Sequence, residues 1–403
     1  MIRGPQVPLG RGEFVSLQAV LISLIALSID AMLPALPAIG AELRAPNAND
    51  TQLVVSALFF GFSIGQILFG PLSDSIGRKR AVYGGLLIFI VGDIVSLLST
   101  DFSTMLIGRA LQGFGVAAPR IVSIALVRDL FKGREMARTM SLIMMIFITV
   151  PALAPAVGQA ILHILPWRYI FGFILIIAIS GLLWFAGRQP ETLSIENRVP
   201  FSFRQILDSV KETVRNRTAF GYTIASGLIF GAFVGYLSST QQIFQVQFAL
   251  GDQFPLYFGI LALAIGAASF CNSQLVVRYG MRSLSWRALQ VVTVVSVVFF
   301  LVALRLHGVP PLWAFMAWGL ISFFSIGILF GNFNAMAMEP MGHIAGTAAA
   351  VIGSLTTAIS LVFGVSIGQM YSGTVLPLVG GFGVMGIAAM AVFHWVGRHE
   401  TRS

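Results

Sequence analysis

The chain has 403 residues, of which 57% are hydrophobic and only 10% are charged, and its mean hydropathy is +0.87. Soluble globular domains carry about 25% charged residues, so this composition excludes that class and predicts an integral membrane protein. The net charge of +9 is explained by membrane orientation and by contact with anionic headgroups, which leaves no basic domain to hold nucleic acid.

Apolar windows predict twelve membrane spans, since each span needs about 20 residues. We predict an all-α integral membrane fold of two pseudo-symmetric six-helix bundles, residues 1–188 and 218–403, joined by a cytoplasmic linker at 189–217. The first six spans are predicted at 14–38, 51–74, 80–100, 103–127, 136–162 and 168–188, and the second six at 218–246, 254–278, 284–306, 311–338, 344–370 and 374–397.

Asp30 lies in span 1 at hydrocarbon depth, where an acidic side chain costs a few kcal/mol and marks a functional site. Burial favours the protonated form of a carboxyl group. Asp30 is therefore predicted to take up a proton near neutral pH and to release it when a substrate or cation approaches.

The turn between spans 2 and 3 has the sequence GPLSDSIGRKR, from Gly70 to Arg80. Asp74 in this turn can accept hydrogen bonds from a helix N-terminus or pair with arginines of neighbouring loops, so we interpret it as a gate latch. The basic cluster at Arg78–Arg80 marks a short cytoplasmic turn, and a topology signal alone is the alternative interpretation. The predicted gating residues are Gly70, Asp74, Gly77, Arg78 and Arg80.

Arg109 lies about six residues into span 4 and reaches a depth similar to that of Asp30, at about 1.5 Å per residue. The sequence therefore predicts that Arg109 pairs with Asp30 and helps to set the point of proton release. A static buried ion pair is the alternative.

Two further charged residues are weaker candidates. Asp93 in span 3 is at membrane depth, but it can equally hydrogen-bond a neighbouring helix. Arg120 follows Arg109 by about three helical turns on the same face, yet it lies near the cytoplasmic end, where a long side chain can extend to the interface.

Pro151 and Pro155 in span 5 lie four residues apart and are predicted to bend that helix, because each removes a backbone donor. Gly158, one turn later, permits close approach of a neighbouring helix. We predict a hinge at these three residues, with packing without motion as the alternative.

Polar and aromatic residues in both halves form the predicted substrate cavity, although polar side chains also join helices and most phenylalanines must face lipid or core. The single cysteine, Cys271, is predicted to pack in its span, without a disulfide or metal partner. The predicted cavity residues are Asp30, Arg109, Gln112, Phe147, Tyr236, Gln241, Asn332 and Asn334.

The linker contains two prolines and four acidic residues, and it predicts one amphipathic helix around 203–214 but no chemistry. If both termini are cytoplasmic, the inside segments hold 20 Lys and Arg and the outside loops hold three. The positive-inside rule therefore predicts that both termini lie in the cytoplasm. The segment Arg278–Arg282 after span 8 is similar to Ile76–Arg80 after span 2, as expected for paired halves.

Three stretches of the first half, together with the Gly70–Arg80 turn, resemble the major facilitator superfamily. They are DAMLPALP at 30–37, RALQGFG at 109–115 followed by AAPR at 117–120, and PALAP at 151–155 with Gly158. The pattern is similar to that of twelve-helix drug/proton antiporters, in particular the bicyclomycin and chloramphenicol resistance (Bcr/CflA) branch.

The resemblance implies that the Gly70–Arg80 turn locks the cytoplasmic side when the cavity opens outward. It covers the first six spans by motif and the second six by hydropathy alone. The chain departs from the family pattern at Ala154 and Gln159, where glycines are common, which predicts a stiffer or differently shaped hinge.

No enzyme constellation and no nucleotide-binding loop is found, so the predicted energy source is a proton gradient without any cofactor or metal. We predict a monomeric multidrug efflux antiporter of the bacterial inner membrane that exchanges small apolar or cationic compounds for protons by alternating access. The alternatives are a proton-linked symporter or facilitator for a small metabolite and, from another class, a non-transporting membrane receptor or scaffold.

Overall fold

The computed structural model describes residues 9–400, apart from the side chains at 137, 399 and 400. Within this range the regular structure is helical and contains no β-strand. The helices are α1 (Arg11–Asp30), α2 (Leu36–Glu42), α3 (Leu53–Ile76), α4 (Arg78–Leu97), α5 (Phe102–Leu130), α6 (Gly133–Leu162), α7 (Arg168–Arg188), α8 (Phe203–Arg215), α9 (Arg217–Gln241), α10 (Phe254–Tyr279), α11 (Met281–Arg305), α12 (Leu312–Met338), α13 (Ala345–Gln369) and α14 (Leu376–Glu400).

Eleven helical stretches of the described residues are long and apolar enough to cross a membrane. One of them, Leu312–Gln369, contains two long helices, α12 and α13, separated by a 3-10 turn at Glu339–Ile344, so the bundle has twelve long helices. The predicted all-α membrane fold is confirmed. The predicted amphipathic helix of the linker is also confirmed, as α8.

The first span differs from its prediction, because α1 stops at Asp30. A 3-10 turn at Leu33–Ala35 and the short helix α2 follow it. Pro34 has no backbone N–H to donate to the Asp30 carbonyl four residues earlier, so the helical ladder cannot continue past this point. The break leaves Asp30 at a helix end inside the bundle.

The twelve long helices run between two ends of the bundle. The end that carries the start of α1, the α3–α4 turn and the linker is called the linker face below. The other end carries the α1–α3 connection, the end of α9 and the α13–α14 connection, and it is called the opposite face. At the opposite face α9 finishes in one π-helical turn at Gln242–Gln247.

Small residues let α1 and α6 approach closely. A Cβ on Gly158 of α6 would lie 1.7 Å from the carbonyl oxygen of Ala31, at the end of α1. The predicted close approach at Gly158 is confirmed, and it joins the proline-containing helix to the residue next to Asp30.

The α3–α4 and α10–α11 turns have the same backbone form. Gly77 has φ 102° and ψ 152°, and Gly280 has φ 76° and ψ 151°, and in each case a long helix begins at the next residue. A positive φ is readily available only to glycine. The similarity between Ile76–Arg80 and Arg278–Arg282 in sequence is therefore also a similarity in structure.

Candidate functional site

Asp30 is a buried carboxylate at the end of α1. Its side chain is 4% exposed, and it forms neither a hydrogen bond nor an ion pair with any residue of the range 9–400. A buried charge without a partner is unfavourable by several kcal/mol, on the order of the cost of desolvating the ion. The site therefore favours either a protonated Asp30 or an Asp30 that meets a cation from outside the chain.

Arg109 is fully buried and hydrogen-bonded on all three nitrogens. Its Nε donates to the Val54 carbonyl at 3.1 Å, its Nη2 to the Ser28 carbonyl at 2.8 Å, and its Nη1 to Oε1 of Gln112 at 2.6 Å. Helix α1 ends at Asp30, so the Ser28 carbonyl has lost its helical partner and is an acceptor that needs a donor. Arg109 supplies that donor.

The predicted pair of Arg109 with Asp30 is therefore wrong. Arg109 is linked to Asp93 instead, because the side-chain amide of Gln112 donates to Oδ1 of Asp93 while its carbonyl accepts from Arg109. Asp93 is also fully buried. The two charges share one polar network through Gln112, and Asp30 lies next to this network without joining it.

The weaker candidate Asp93 thus belongs to the same cluster as Arg109. The spacing of Arg109 and Gln112, three residues apart on one helix face, was the available signal for this cluster. The guanidinium of Arg109 also lies 5.8 Å from the ring centroid of Phe171 on α7, which closes the network on its remaining side.

Tyr236 lies on α9, which brings the second half to the same region because α9 contacts the 3-10 turn at Leu33–Ala35 that follows Asp30. Its ring packs against those of Phe323 and Phe258, with centroids 4.6 and 5.8 Å away. The hydroxyls of Tyr236 and of Thr240, one turn later, are both buried without a hydrogen-bond partner among the described residues. Helix α9 therefore adds unused hydrogen-bonding capacity from the second half near the end of α1.

Arg120 and Phe147 form a separate contact, closer to the linker face. The Arg120 guanidinium lies 5.6 Å from the centroid of the Phe147 ring, which is a cation–π distance. Both residues are half-buried. This contact joins α5 to α6 and lies outside the Asp93–Gln112–Arg109 network.

The other predicted cavity residues are spread over the second half. Asn332 exchanges two hydrogen bonds with Asn272 of α10, at 2.9 and 3.0 Å, and so joins two helices. Gln241 donates to Gln245 one turn later at 3.0 Å, and Asn334 is exposed. Their role in substrate binding stays a prediction.

The Gly70–Arg80 turn is organised around the buried side chain of Arg78. Its Nη1 pairs with Asp74 and donates to Ser73 Oγ at 2.8 Å, while its Nε lies 3.1 Å from Asp129 at the end of α5. Asp74 also lies beside Gly346 at the start of α13, since a Cβ on Gly346 would be 3.8 Å from its Oδ2. Arg80 is exposed.

This arrangement gives Asp74 the expected arginine partner and places its carboxylate near the start of α13. A carboxylate is stabilised near a helix N-terminus by about 0.3–1 kcal/mol at exposed sites. Asp74 therefore connects the first half to α13 of the second half. A Cβ on Gly70 would lie 3.0 Å from Ala350, in the same contact between α3 and α13.

The linker has a structural role that sequence reasoning missed. The carboxylate of Glu191 accepts hydrogen bonds of 3.0 Å from the backbone N–H groups of both Arg78 and Lys79, the first residues of α4. Thr192 donates to Asp129 at 3.1 Å. The linker is therefore more than a tether, because Glu191 caps a helix of the Gly70–Arg80 turn.

A cluster of amides at the opposite face was also missed. Gln52 donates to the side chain of Gln242, Gln242 donates to Asn49 at 2.9 Å, and Asn49 donates to the backbone carbonyls of Gln369 and Tyr371. Asn49 and Gln52 belong to the first half and the other three to the second. Uncharged residues at span ends carry little sequence signal, although together they hold the two halves to each other.

Pro151 and Pro155 lie inside α6, which is one continuous helix from Gly133 to Leu162. Each proline removes one helical hydrogen bond, so α6 lacks the donors that would bond to the carbonyls of Phe147 and Pro151. The predicted hinge lies beside the contact of Gly158 with Ala31. Its motion stays a prediction.

Similarity to known proteins agrees with this architecture. A family model described as Major Facilitator Superfamily matches residues 19–365. The chain is 34% identical over 82% of its length to an uncharacterized MFS-type transporter, YdgK, of Bacillus subtilis, and it covers 82% of that protein.

Several relatives carry names that refer to drug resistance. The chain is 27% identical to the bicyclomycin resistance protein homolog of Haemophilus influenzae, with 97% of each chain covered. It is 25% identical to multidrug resistance protein D of Escherichia coli, with 86% of each covered.

Among solved structures, the human organic anion transporter MFSD10 superposes with a TM-score of 0.71 at 18% identity, covering 96% of this chain and 99% of that one. This similarity supports the fold alone. With the family match across most of its length, the chain belongs to the Major Facilitator Superfamily, as a multi-pass membrane transporter related to bicyclomycin-resistance proteins.

Proposed function

We propose that this transporter exports small apolar or cationic compounds in exchange for protons, by alternating access between its two six-helix halves. It acts as a monomer in the bacterial inner membrane, with the linker face and both termini in the cytoplasm. The observation that carries the proposal is the unpartnered, buried carboxylate of Asp30 at the boundary between the halves.

The charge of an isolated buried carboxylate can account for the exchange of a proton for a cationic substrate. It is tolerated when protonated, or when a cation neutralises it, but both conditions together would add a surplus positive charge. A cationic substrate and a proton therefore compete for Asp30. This competition is the basis of antiport by a single group.

The neighbouring network keeps Asp30 available for that exchange. The charge of Arg109 is balanced through Gln112 by Asp93 and by two backbone carbonyls, so Asp30 is not held in a permanent ion pair. Arg109 at the same time fixes the end of α1 through Ser28. Tyr236 and its aromatic neighbours on the second half supply an apolar wall suited to drug-like compounds.

Two sets of contacts between the halves support alternating access. At the linker face Asp74 lies beside the start of α13, and at the opposite face Gln52 bonds Gln242. Transport requires each set to open in turn. The excess of Lys and Arg in the linker-face segments, 20 against three in the opposite loops, supports a cytoplasmic linker face.

The relatives support a drug as the substrate class, since two of them are named for bicyclomycin resistance and multidrug resistance. Their identities of 27% and 25% are modest, so the compound is left to experiment. Chloramphenicol-like compounds, bicyclic compounds and lipophilic cations are the three classes to try.

The test uses inverted vesicles energised by respiration, in which the internal pH is followed while each class of compound is added. We expect compound-dependent proton release from vesicles containing the wild-type chain and none from those containing Asp30→Asn. Asp101→Asn is the matched control, because Asp101 is an exposed N-cap at the opposite face and should not affect exchange. Proton release that persists in Asp30→Asn would overturn the assignment of Asp30.

A further inference from the structure

The second half contains a groove that the transport mechanism does not use. It has a volume of about 820 Å³ and lies at the linker face, between the starts of α9 and α11 and the ends of α10, α12 and α14. Its walls are partly aromatic, with Tyr222, Trp286 and Phe393, and partly charged, with Arg282, Arg398 and Glu339. The groove is therefore amphipathic.

The charge around the groove is predominantly positive. Arg282 and Arg398 line it together with Glu339, the one acidic side chain among the described residues of the groove. Two more arginines, Arg278 and Arg287, pack on Tyr279 at its edge, with guanidinium carbons 5.4 and 5.7 Å from the ring centroid. Among the described residues in and around the groove, four arginines accompany one acid, a balance that favours an anionic ligand.

The start of α11 adds donors to the same place. Gly280, Met281, Arg282 and Ser283 all line the groove, and α11 has no side-chain cap. At the corresponding turn of the first half, the start of α4 is occupied by the carboxylate of Glu191. A Cβ on Gly280 would meet no described atom within 4 Å, so no described residue fills the position that Glu191 fills in the first half.

The surroundings of the groove are those of a lipid interface. Helices α11 and α14 expose apolar side chains along their length, such as Val294 at 58%, Val298 at 54% and Ile387 at 56%. Trp395 lies one turn from the groove and is 44% exposed, and tryptophan is enriched at headgroup depth. An occupant therefore meets water and headgroups at one end and acyl chains at the other.

We propose that this groove binds the phosphate-bearing headgroup of an anionic phospholipid of the inner leaflet. The phosphate lies between Arg282, Arg398 and the first N–H groups of α11, and the glycerol and upper acyl chain pack on Trp286 and Phe393. The proposal rests on the cytoplasmic orientation of the linker face, and on no feature of substrate or proton binding. A headgroup there joins α11 to α14 at the inner end of the second half.

The experiment is native mass spectrometry of the purified full chain, titrated with phosphatidylglycerol in detergent. We expect one tightly held lipid on the wild type, and at least about tenfold weaker retention on Arg282→Gln/Arg398→Gln, since each cation near an anionic headgroup strengthens binding severalfold. Arg134→Gln/Arg138→Gln removes two charges from the same face at the start of α6 and is the matched control. It should retain the lipid as the wild type does.

Two further arms identify the ligand. Phosphatidylethanolamine, which carries a phosphate but no net charge, should bind more weakly than phosphatidylglycerol, and millimolar inorganic phosphate should not displace the lipid. Displacement by phosphate would show a site for a free anion and would overturn the lipid proposal. Equal retention by all variants would overturn the site itself.

Arg282 contributes to the packing of the second half, so its replacement can impair folding as well as lipid binding. A second variant that keeps the fold separates the two effects. Arg398→Gln alone replaces an exposed side chain whose hydrogen bond is to His394 at 3.1 Å, one turn away on the same helix. It should weaken lipid retention while keeping the wild-type melting temperature. An unchanged lipid affinity in this stable variant would contradict the proposal.

Discussion

Arg109 donates a 2.8 Å hydrogen bond to the backbone carbonyl of Ser28, two residues before Asp30. The bond fixes the end of α1 by satisfying a carbonyl that the helix leaves open. Because the guanidinium is used in this way and through Gln112, it holds the backbone around Asp30 without neutralising the carboxylate. Arg109 therefore fixes the backbone position of Asp30 but does not determine the charge of its carboxylate.

The network of Arg109 and Asp93 predicts a compensating pair of substitutions. Arg109→Gln leaves Asp93 buried without a countercharge and should destabilise the protein by about 3–5 kcal/mol. Asp93→Asn leaves the opposite charge uncompensated. The double variant Arg109→Gln/Asp93→Asn removes both charges and should be more stable than either single variant, as measured by thermal unfolding in detergent.

Strict additivity of the two single effects would contradict this network, since independent residues add and coupled residues do not. Arg80→Gln is the control for loss of an arginine from an exposed position. It should leave the melting temperature within experimental error of the wild type.

The contact of α6 with α1 predicts that Gly158→Ala is destabilising. Its Cβ would lie 1.7 Å from the Ala31 carbonyl oxygen, so the helices must separate beside Asp30. Overpacking of this kind costs about 1–3 kcal/mol or more. Thermal unfolding and proton-linked export should both be impaired.

Gly84→Ala is the matched control for this substitution, because a Cβ there meets nothing within 4 Å. Alanine is the better helix former by about 0.5–1 kcal/mol, so this variant should be as stable as the wild type or more so. Equal melting temperatures for Gly158→Ala and Gly84→Ala would contradict the close contact.

The amide cluster at the opposite face predicts a shift in conformation when it is broken. Gln52→Leu keeps the approximate size of the side chain but removes the hydrogen bond to Gln242, so states opened at this face should become more populated. Spin labels at Ala41→Cys and Val309→Cys, with Cys271→Ala to remove the native thiol, report the separation of the halves by double electron–electron resonance.

We expect longer label distances for Gln52→Leu than for the wild-type background. Gln290→Leu is the control, since Gln290 is an exposed residue of α11 away from the cluster. An unchanged distance distribution in Gln52→Leu would mean that the amides do not hold the opposite face closed.

The cap of α4 predicts a specific role for the linker. Glu191→Ala removes the acceptor for two backbone N–H groups and should cost about 1 kcal/mol, the usual effect of losing a helix N-cap. Glu196→Ala, at an exposed residue of the same segment, is the control. A drop in melting temperature is expected for Glu191→Ala only, and equal values for the two variants would exclude the cap.

Much of the fold follows from hydropathy, because each span must be about 20 apolar residues long and backbone groups in lipid must be satisfied within the helix. The early end of α1 was readable in principle from Pro34, yet the apolar window runs through it. The apolar pattern continues across the end of α1, so hydropathy does not reveal the break. Its position depends on local backbone hydrogen bonding.

The residues of the candidate site were predicted better than the contacts between them. Asp30, Arg109 and Gln112 were identified from charge, depth and motif, but the partner of Arg109 is Asp93, because Gln112 bridges them and Ser28 offers a free carbonyl. Depth along a helix is readable from sequence, whereas rotation toward a particular neighbour depends on packing. Glu191 and Gln52 were missed for the same reason.

The most direct test of the central claim is substrate-induced proton release from the purified protein in weakly buffered detergent solution. Addition of a lipophilic cation that the protein exports should release protons from the wild type, near the pH at which Asp30 is protonated, and none from Asp30→Asn. Proton release of equal size from Asp30→Asn would contradict the competition of proton and substrate for Asp30.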